Sequence, residues 1–441
     1  MTQGALTVIV RVIPERLPDL SRYLNKIGDD VLGQNTLPFT RLLTVHFLRW
    51  VILPTGEDAN GEKIPASLAF STDYDGPLSD HLDELVAVLG PAMDIIYSWC
   101  ENYPKLASTR PLQLKEFLIR YQVSYEAFYV GSPLRSNVQI DREDRLRQAA
   151  EQVLDLEFSL GKKCLVNSVE AANRVRSILS CNPQIEALKS CLRGAATGTS
   201  PAQYLLPIGI VLLVVASGIS WFHLWGVVGY AVGLILILLA CLLLFLRRKE
   251  LTDKVAIHSI SSSALKELLD REDYIVQNQI THLVNIKPGK LRLFLLKLVL
   301  RSINILARIW YNQGNLGGIP SIHFARWVIV DEGKRLLFFS NFDGSWESYL
   351  GDFIDQAHYG LTGIWSNTVG FPKTNWLIED GATNEQGFKT WTRSHQIFTN
   401  LWYSAYRHLS VQNVNDNTAV RMGLLGTSQD EKSTREWLSH L

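Results

Sequence analysis

The chain has 441 residues, enough for two or three domains, and its 43 basic and 43 acidic residues give a formal net charge of zero. This balance provides no general basic surface and argues against a nucleic-acid-binding protein. The five cysteines show neither a C-x-x-C pair nor metal-ligand spacing, which favours free thiols in a reducing compartment. The first residues lack a basic segment, so we expect no cleavable signal peptide.

Residues 1–145 have the pattern of a small α+β domain. β-Branched runs that end at turn residues predict strands, and leucines at helical spacing predict amphipathic helices. In chain order, the predicted elements are a strand over 6–13, a helix over 16–32, strands over 41–53 and 67–72, a helix after the Asp75-Gly76 turn, a helix over 112–129 and a short strand over 136–140.

A long apolar segment follows at 199–249, between two mixed-charge segments, 146–198 and 250–278, that are predicted to be helical arms. About 20 apolar residues cross a bilayer, so this segment is long enough for two spans, 204–220 and 224–246. Basic residues flank both ends of the segment, as is typical of the cytoplasmic ends of spans. We therefore expect a transmembrane hairpin in a lipid bilayer, with both termini and both soluble halves cytoplasmic; a buried core hairpin is the alternative.

Residues 279–424 repeat the pattern of the first half, and a C-terminal tail follows at 425–441. Ser345 is placed to cap a helix whose apolar face includes Trp346 and Phe353. In chain order, the predicted elements are a strand over 280–286, a helix over 291–311, strands over 321–330 and 335–340, the helix after Ser345 and a helix over 387–403; residues 413–417 are predicted to be a polar loop.

The two halves carry the same short sequences, Val45-His46-Phe47-Leu48-Arg49-Trp50 and Ile322-His323-Phe324-Ala325-Arg326-Trp327. A second shared sequence runs from Phe70 to Gly76 and from Phe338 to Gly344. Each half therefore has the β-α-β-β-α order of a ferredoxin-like repeat. Because each sheet leaves one face to be buried, the favoured fold class is α+β, with two ferredoxin-like repeats forming a pseudo-symmetric α+β barrel.

Two matched arginines, Arg49 and Arg326, lie among apolar residues of their strands. A buried arginine needs an anion, and the nearest aspartates by topology are Asp75 and Asp343 at the ends of the neighbouring strands. One interpretation is a structural Arg–Asp pair in each half. The other is a ligand cavity in which Arg326 holds an anionic group and Asp343 accepts or donates a proton.

The histidines suggest where a metal or haem ligand would lie. His46 and His323 occur in both halves, which favours a role in the shared fold, whereas His358, His395 and His408 occur only in the second half. An imidazole in one copy alone is a candidate axial ligand, and His395 has Trp391 and Phe398 nearby at helical spacing. A packing or surface histidine is the alternative interpretation.

The sequences Thr72-Asp73-Tyr74-Asp75-Gly76 and Ser340-Asn341-Phe342-Asp343-Gly344 resemble the G-x-x-D-G motif of the dye-decolourising (Dyp-type) peroxidases, without its first glycine. These proteins belong to the dimeric α+β barrel superfamily and bind haem in their C-terminal half. The resemblance implies that Asp343 and Arg326 are the distal catalytic pair. It also implies haem as the cofactor, with His395 or His358 as the iron ligand and Trp391 and Phe398 beside it.

Three functions remain open. The resemblance implies a haem-binding, peroxidase-like oxidoreductase with its active site in the C-terminal half, and the predicted hairpin, which is foreign to that family, would make it membrane-anchored. The alternatives are a non-catalytic barrel that binds an apolar or acidic, lipid-like ligand, and a membrane-bound structural or regulatory protein. Haem requires a cavity beneath His395 or His358, a ligand-binding barrel requires a dry open cavity, and a scaffold requires a filled interior with closed Arg–Asp pairs.

Overall fold

The computed structural model describes residues 2–31, 37–104, 111–159, 168–180, 224–253, 260–309, 318–377, 379–426 and 430–441. The longer strands are β1 (Gln3–Arg11), β2 (Val45–Leu53), β3 (Ser67–Asp75), β4 (Ala127–Val130), β5 (Gln277–Asn285), β6 (Ile322–Val330), β7 (Arg335–Asp343) and β8 (Leu401–Ser404). Two-residue strands form small ladders, Gly56–Glu57 with Lys63–Ile64 and Thr374–Asn375 with Glu379–Asp380.

The described helices are α1 (Leu17–Asp29), α2 (Leu78–Ser98), α3 (Pro111–Arg120), α4 (Asn137–Ser159), α5 (Ser168–Ser180), α6 (Leu224–Thr252), α7 (Ser262–Leu269), α8 (Lys290–Ile309), α9 (Trp346–Trp365), α10 (Glu385–His395), α11 (Val411–Leu425) and α12 (Glu431–Leu438). Short 3-10 turns lie at Pro14–Arg16, Phe39–Arg41, Asp331–Gly333 and Gly381–Thr383. The predicted cap of α9 is present, because the Ser345 side chain accepts from the Ser348 amide.

The two halves are structural copies of each other. One antiparallel sheet has the strand order β1-β3-β2-β8, and the other has the equivalent order β5-β7-β6-β4. The register is also shared, since Gln3 lies opposite Asp75 and Gln277 lies opposite Asp343. Both sheets carry the same irregularity, directly after Val45 and directly after Ile322. The mixed α+β class and the internal repeat are therefore confirmed.

Each half gives its last strand to the other sheet. Strand β4 pairs with β6, with Tyr129 opposite Ala325, and β8 pairs with β2, with Tyr403 opposite Leu48. The predicted closed barrel is wrong for the described residues, because the two sheets stay separate and the edges of β2 and β6 are already occupied. Residues 136–140 are not a strand either, since α4 begins at Asn137.

The sheets pack face to face and the helices cover their outer faces. Along β7, for example, Phe339 packs in the core between the sheets, whereas the neighbouring Phe338 packs beneath the helices of the second half. This follows from the alternation of side chains along a strand. The inter-sheet core includes Val51, Leu53, Ala69, Val328, Val330, Leu337 and Phe339.

A satellite core joins the helical arm to the C-terminus. Helices α4, α5, α11 and α12 bury a small apolar cluster that includes Leu146, Ala150, Val175, Val420, Leu424 and Trp437. The segment predicted as a polar loop over 413–417 lies inside α11, where Ser410 and Asn413 form a capping box. The local capping signal therefore outweighs the polar composition of that segment.

The prediction of a transmembrane hairpin is corrected by the structure. Its first span, 204–220, lies outside the described residues, and its second, 224–246, coincides with most of α6. In the part of the chain that the structure describes, no helix is long and apolar enough to cross a membrane, so the two-span integral membrane protein with cytoplasmic termini is contradicted. The last turns of α6 are charged and pack against protein: buried Glu250 accepts from Thr374 Oγ1 and, at 2.9 Å, from the Leu377 amide.

Candidate functional site

The predicted arginine Arg326 crosses from the second sheet to the first. It is buried, and its guanidinium donates to the Leu6 carbonyl at 2.8 Å, to the Thr72 carbonyl at 2.8 Å and to the Asp73 carboxylate. Asp73 comes from the other half, so the predicted pairing with Asp343 is wrong. An arginine that reaches across the interface satisfies its donors with backbone and carboxylate oxygens and joins the two halves.

Arg49 makes the mirror-image contacts in the opposite direction. It donates to the Ile280 carbonyl at 2.9 Å, to the Ser340 carbonyl at 3.0 Å and to the Asn341 side chain. Asn341 stands where the first half has Asp73, and its amide donates to Asp73 at 3.1 Å. One carboxylate therefore serves two buried guanidiniums.

Burial affects the ionisation of both groups in this network. Burial lowers the pKa of Arg49 to about 9, although Asp73 opposes that effect. Burial also raises the pKa of Asp73, against the lowering effect of Arg326 and Arg49. Desolvation thus works against each charge, and the ion pair compensates for it.

The duplicated histidines bind the strand-end aspartates. His323 Nε2 lies 2.7 Å from Asp343, and His46 Nε2 lies 3.0 Å from Asp75. Each aspartate also accepts the first amide of a helix, with Val411 donating to Asp343 and Asn137 donating to Asp75, both at 2.7 Å. Asp343 is therefore part of a closed structural group that does not contain Arg326.

The outer face of the second sheet presents a different arrangement around His282. This side chain on β5 is 1% exposed and lies beneath α9 and α10. Its ring centroid is 4.7 Å from that of Trp391, 4.9 Å from that of Trp365 and 5.8 Å from that of His395. Among the residues that the structure describes, neither ring nitrogen has a hydrogen-bond partner. Burial, with a smaller contribution from His395, lowers the pKa of His282 well below its usual value, so the ring is neutral.

His282 borders a small chamber. The chamber has a volume of about 20 Å³, which is room for about one water molecule. The hydroxyl of Thr392 in its wall is also buried without a partner. Apart from the buried Tyr349 hydroxyl and Trp327 Nε1, the remaining lining is apolar and largely aromatic: Ile280, Trp327, Phe338, Tyr349, Leu350, Phe353, Leu361, Trp365, Phe388 and Trp391.

A larger groove lies beside the chamber, between α8 and α9. It has a volume of about 340 Å³ and shares Trp327, Phe353 and Leu361 with the chamber wall. Helix α9 is kinked here, because Ala357 has the non-helical angles φ −128° and ψ 15°. Ala357 and Gly360, three residues later, both line the groove. The kink therefore lies in the wall of an apolar cleft that borders the His282 chamber through shared side chains.

The first half has apolar residues at the positions of His282 and Thr392. Isolated bridges join Val8 to Gln122 and His282 to Gln396, which identifies Val8 as the structural counterpart of His282. By the same spacing, Leu118 corresponds to Thr392. Sequence reasoning missed His282 because it lies in the middle of an apolar strand. The available signal was the alignment of the two copies, which places this histidine opposite a valine.

The other predicted site residues fall into three places. Trp391 lines the chamber, and His395 lies against it with Nδ1 2.9 Å from the Trp391 carbonyl. His358 stands on α9 near the groove, with Nδ1 3.1 Å from the Ile354 carbonyl. Phe398 lies apart from them, with the Arg271 guanidinium 5.5 Å from its ring centroid. The structure thus brings His395 and Trp391 together with His282.

The described residues do not assemble the haem site that the resemblance implies. The chamber beside His395 has room for about one water molecule, whereas Arg326 reaches into the first sheet and Asp343 is bound to His323 and the Val411 amide. Over the described ranges, no group of three or more histidine, cysteine, aspartate or glutamate side chains is arranged to hold a metal ion. Haem binding therefore has no fitted cavity here and stays a prediction.

Comparison with known proteins adds no family to this picture. No protein-family model matches the chain, and neither the curated proteins nor the solved structures contain a significant match. The resemblance to the Dyp-type peroxidases and to their superfamily stays a prediction.

Proposed function

We propose that this chain is a ligand-binding protein whose C-terminal half binds a small, largely apolar molecule carrying one hydrogen-bonding group. The observation that carries the proposal is His282, a buried imidazole in the wall of an apolar chamber, whose two nitrogens have no partner among the described residues. It shares ligand binding with the second of the functions that the sequence left open. Its place differs, because the chamber lies beneath α9 and α10 and not inside a barrel with Arg326 or Arg49 at its closed end.

The energetic argument rests on the unsatisfied polar atoms. A buried donor or acceptor without a partner costs about 1–3 kcal/mol, and the chamber holds such atoms on both His282 and Thr392. A hydroxyl or carbonyl group that enters the chamber would recover part of this free energy. The apolar body of the ligand would then occupy the groove of about 340 Å³, which lies in the size range of small-molecule sites.

The position of the site within the duplicated fold supports the same function. Val8 and Leu118 fill the corresponding place in the first half with apolar side chains, whereas the second half has His282 and Thr392 there. A difference of this kind between two copies of one fold favours a specific role over packing. By contrast, Arg326 and Asp343 are held in contacts that both halves share.

Equilibrium dialysis with 2-naphthol and naphthalene tests the proposal, because the two probes differ by one hydroxyl group. We expect 2-naphthol to bind about tenfold more tightly, as one buried hydrogen bond contributes about 1–1.5 kcal/mol. His282→Val, which installs the residue of the other half, should remove this preference. Val8→Ala, at the matched position of the first sheet, should leave it intact. Absence of binding, or a preference unchanged in His282→Val, would exclude the proposal.

Titration with haemin provides the test of the peroxidase-like alternative. A Soret band that is lost in His395→Ala or in His358→Ala would favour the haem protein and name its ligand. A folded, monodisperse protein without a Soret band would rule out haem and leave the apolar-ligand proposal standing.

A further inference from the structure

A second cavity lies where the end of α6 meets the C-terminal half. Its volume is about 180 Å³, and it is bordered by α6, α8 and the loop that follows α9. One wall is apolar, with Leu246, Leu295, Val299, Phe371 and Leu377. The other wall is charged, with Glu250, Asp253, Lys287, Arg292 and Lys373. The cavity is therefore amphipathic.

Two cations in this wall share a single carboxylate oxygen. Lys287 Nζ lies 2.5 Å from Asp253 Oδ2, and Arg292 Nη2 lies 3.2 Å from the same atom. Lys287 also donates to the Ser366 carbonyl at 2.9 Å. Burial lowers the pKa of both Lys287 and Arg292, so a second anion would stabilise their charged forms.

The other acidic group of the cavity already has hydrogen-bond donors within the protein. Glu250 is buried and accepts from Arg247, Thr374 and the Leu377 amide. Asp253, in contrast, has a side chain that is 30% exposed and follows directly after the last residue of α6. Asp253 is thus the carboxylate that a ligand can displace from the two cations.

These cations also belong to one half only. The spacing that relates Gln3 to Gln277 places Ile13 at the position of Lys287 and Pro18 at the position of Arg292. The shared fold therefore does not require positive charge at either position. Their presence beside a cavity needs an explanation specific to the second half.

We propose that this cavity binds a small amphipathic anion, a carboxylate or phosphate monoester with a short apolar chain. Lys287 and Arg292 hold the anionic head in competition with Asp253, and the chain lies against Leu246, Leu295 and Phe371. The site is separate from the His282 chamber and does not depend on the function proposed for that chamber.

Isothermal titration of the full-length protein with hexanoate, hexyl phosphate and hexanol tests this proposal. We expect one or both anions to bind at least tenfold more tightly than hexanol, and the stronger anion identifies the preferred head group. Arg292→Gln should weaken anion binding at least tenfold. Asp253→Asn should tighten it severalfold, because it removes the competing carboxylate.

Two controls separate this site from other sources of binding. Lys389→Gln removes a partly buried lysine that also contacts two carboxylates but lies outside the cavity, so it should leave binding unchanged. His282→Val should likewise have no effect, since that residue belongs to the other cavity. Equal binding of hexanol, absence of anion binding, or affinity unaltered in both Arg292→Gln and Asp253→Asn would overturn the proposal. Asp253→Asn keeps the test valid if Arg292→Gln fails to fold.

Discussion

At the scale of single residues, the contrast between satisfied and unsatisfied polar groups separates structure from function. Arg49 and Arg326 reach many acceptors across the interface, whereas His282 and Thr392 have none for their buried polar atoms. Since a buried polar atom normally finds a partner, the satisfied set is expected in any stable core. Unpartnered buried atoms also occur elsewhere, for example on Trp50 and Tyr97 of the first half, so it is the position of His282 and Thr392 beside an apolar cavity that marks the chamber as a place for a ligand.

We expect Thr392→Val to stabilise the protein by about 1 kcal/mol, because it removes an unpaired buried hydroxyl with little change in shape. Thr281→Val is the matched control, since the Thr281 hydroxyl accepts from Arg49 at 3.2 Å and lies 2.9 Å from Thr399. Thr281→Val should therefore destabilise the protein. Urea unfolding of both variants measures the change in the free energy of unfolding. A Thr392→Val variant that is less stable than the wild type would contradict the view that the Thr392 hydroxyl is unpaired.

Asp73→Asn should be among the most damaging single changes in the molecule. It leaves the buried Arg49 and Arg326 without a carboxylate, and breaking a buried ion pair costs about 3–5 kcal/mol. Denaturant titration should show this loss in the free energy of unfolding. Asp83→Asn, which removes an exposed partner of Lys115, should cost under about 1 kcal/mol. Similar costs for both variants would show that the network contributes little.

The buried His81 should make the protein sensitive to acid. Burial lowers its pKa from 6.5 to about 3, so the unfolded chain binds this proton at a higher pH than the folded chain does. The stabilisation is complete above pH 6.5 and is lost as the pH falls toward 3, by about 1.4 kcal/mol per pH unit. Unfolding free energies of the wild type and His81→Gln across this window check the slope. An equal slope in the variant would assign the acid sensitivity to other groups.

At the scale of elements, the ends of helices and strands decide how the parts join. The first amides of α4 and α11 donate to the aspartates at the ends of β3 and β7. A carboxylate at a helix N-terminus satisfies an otherwise unpaired amide and interacts favourably with the helix dipole. The strand-end aspartates that the resemblance assigns to catalysis thus have a structural task in both halves.

We expect Asp75→Ala and Asp343→Ala to have similar effects on stability, because each removes one helix-capping contact and one histidine partner. Thermal unfolding should show comparable decreases in Tm for the two variants. A much smaller decrease for Asp343→Ala, combined with loss of a catalytic activity, would support the proton-transfer role instead.

At the scale of the whole molecule, the exchange of strands makes the two halves one folding unit. Strand β8 completes the first sheet and β4 completes the second, and the arginines cross between them. Neither half holds all of its own sheet, so contacts between distant parts of the sequence stabilise both.

This arrangement predicts a single cooperative transition for the two sheets. Arg49→Met and Arg326→Met lie in different halves, and each should lower the midpoint of the same transition when followed by both circular dichroism and tryptophan fluorescence. Coincident curves in both variants would confirm the coupling. Separate transitions, with only one shifted by each variant, would show that the halves unfold independently.

The sequence by itself determined the repeat, the α+β class and the main strands and helices, because alternation and helical periodicity are local properties of the chain. The matched arginines were also visible, since charge in an apolar strand is a local anomaly. Only the tertiary structure decided the strand exchange, the partners of Arg49 and Arg326, the open arrangement of the sheets and the chamber at His282. These depend on which distant residues meet, and a strand sequence records which side chains are apolar but not which edge or face they will contact.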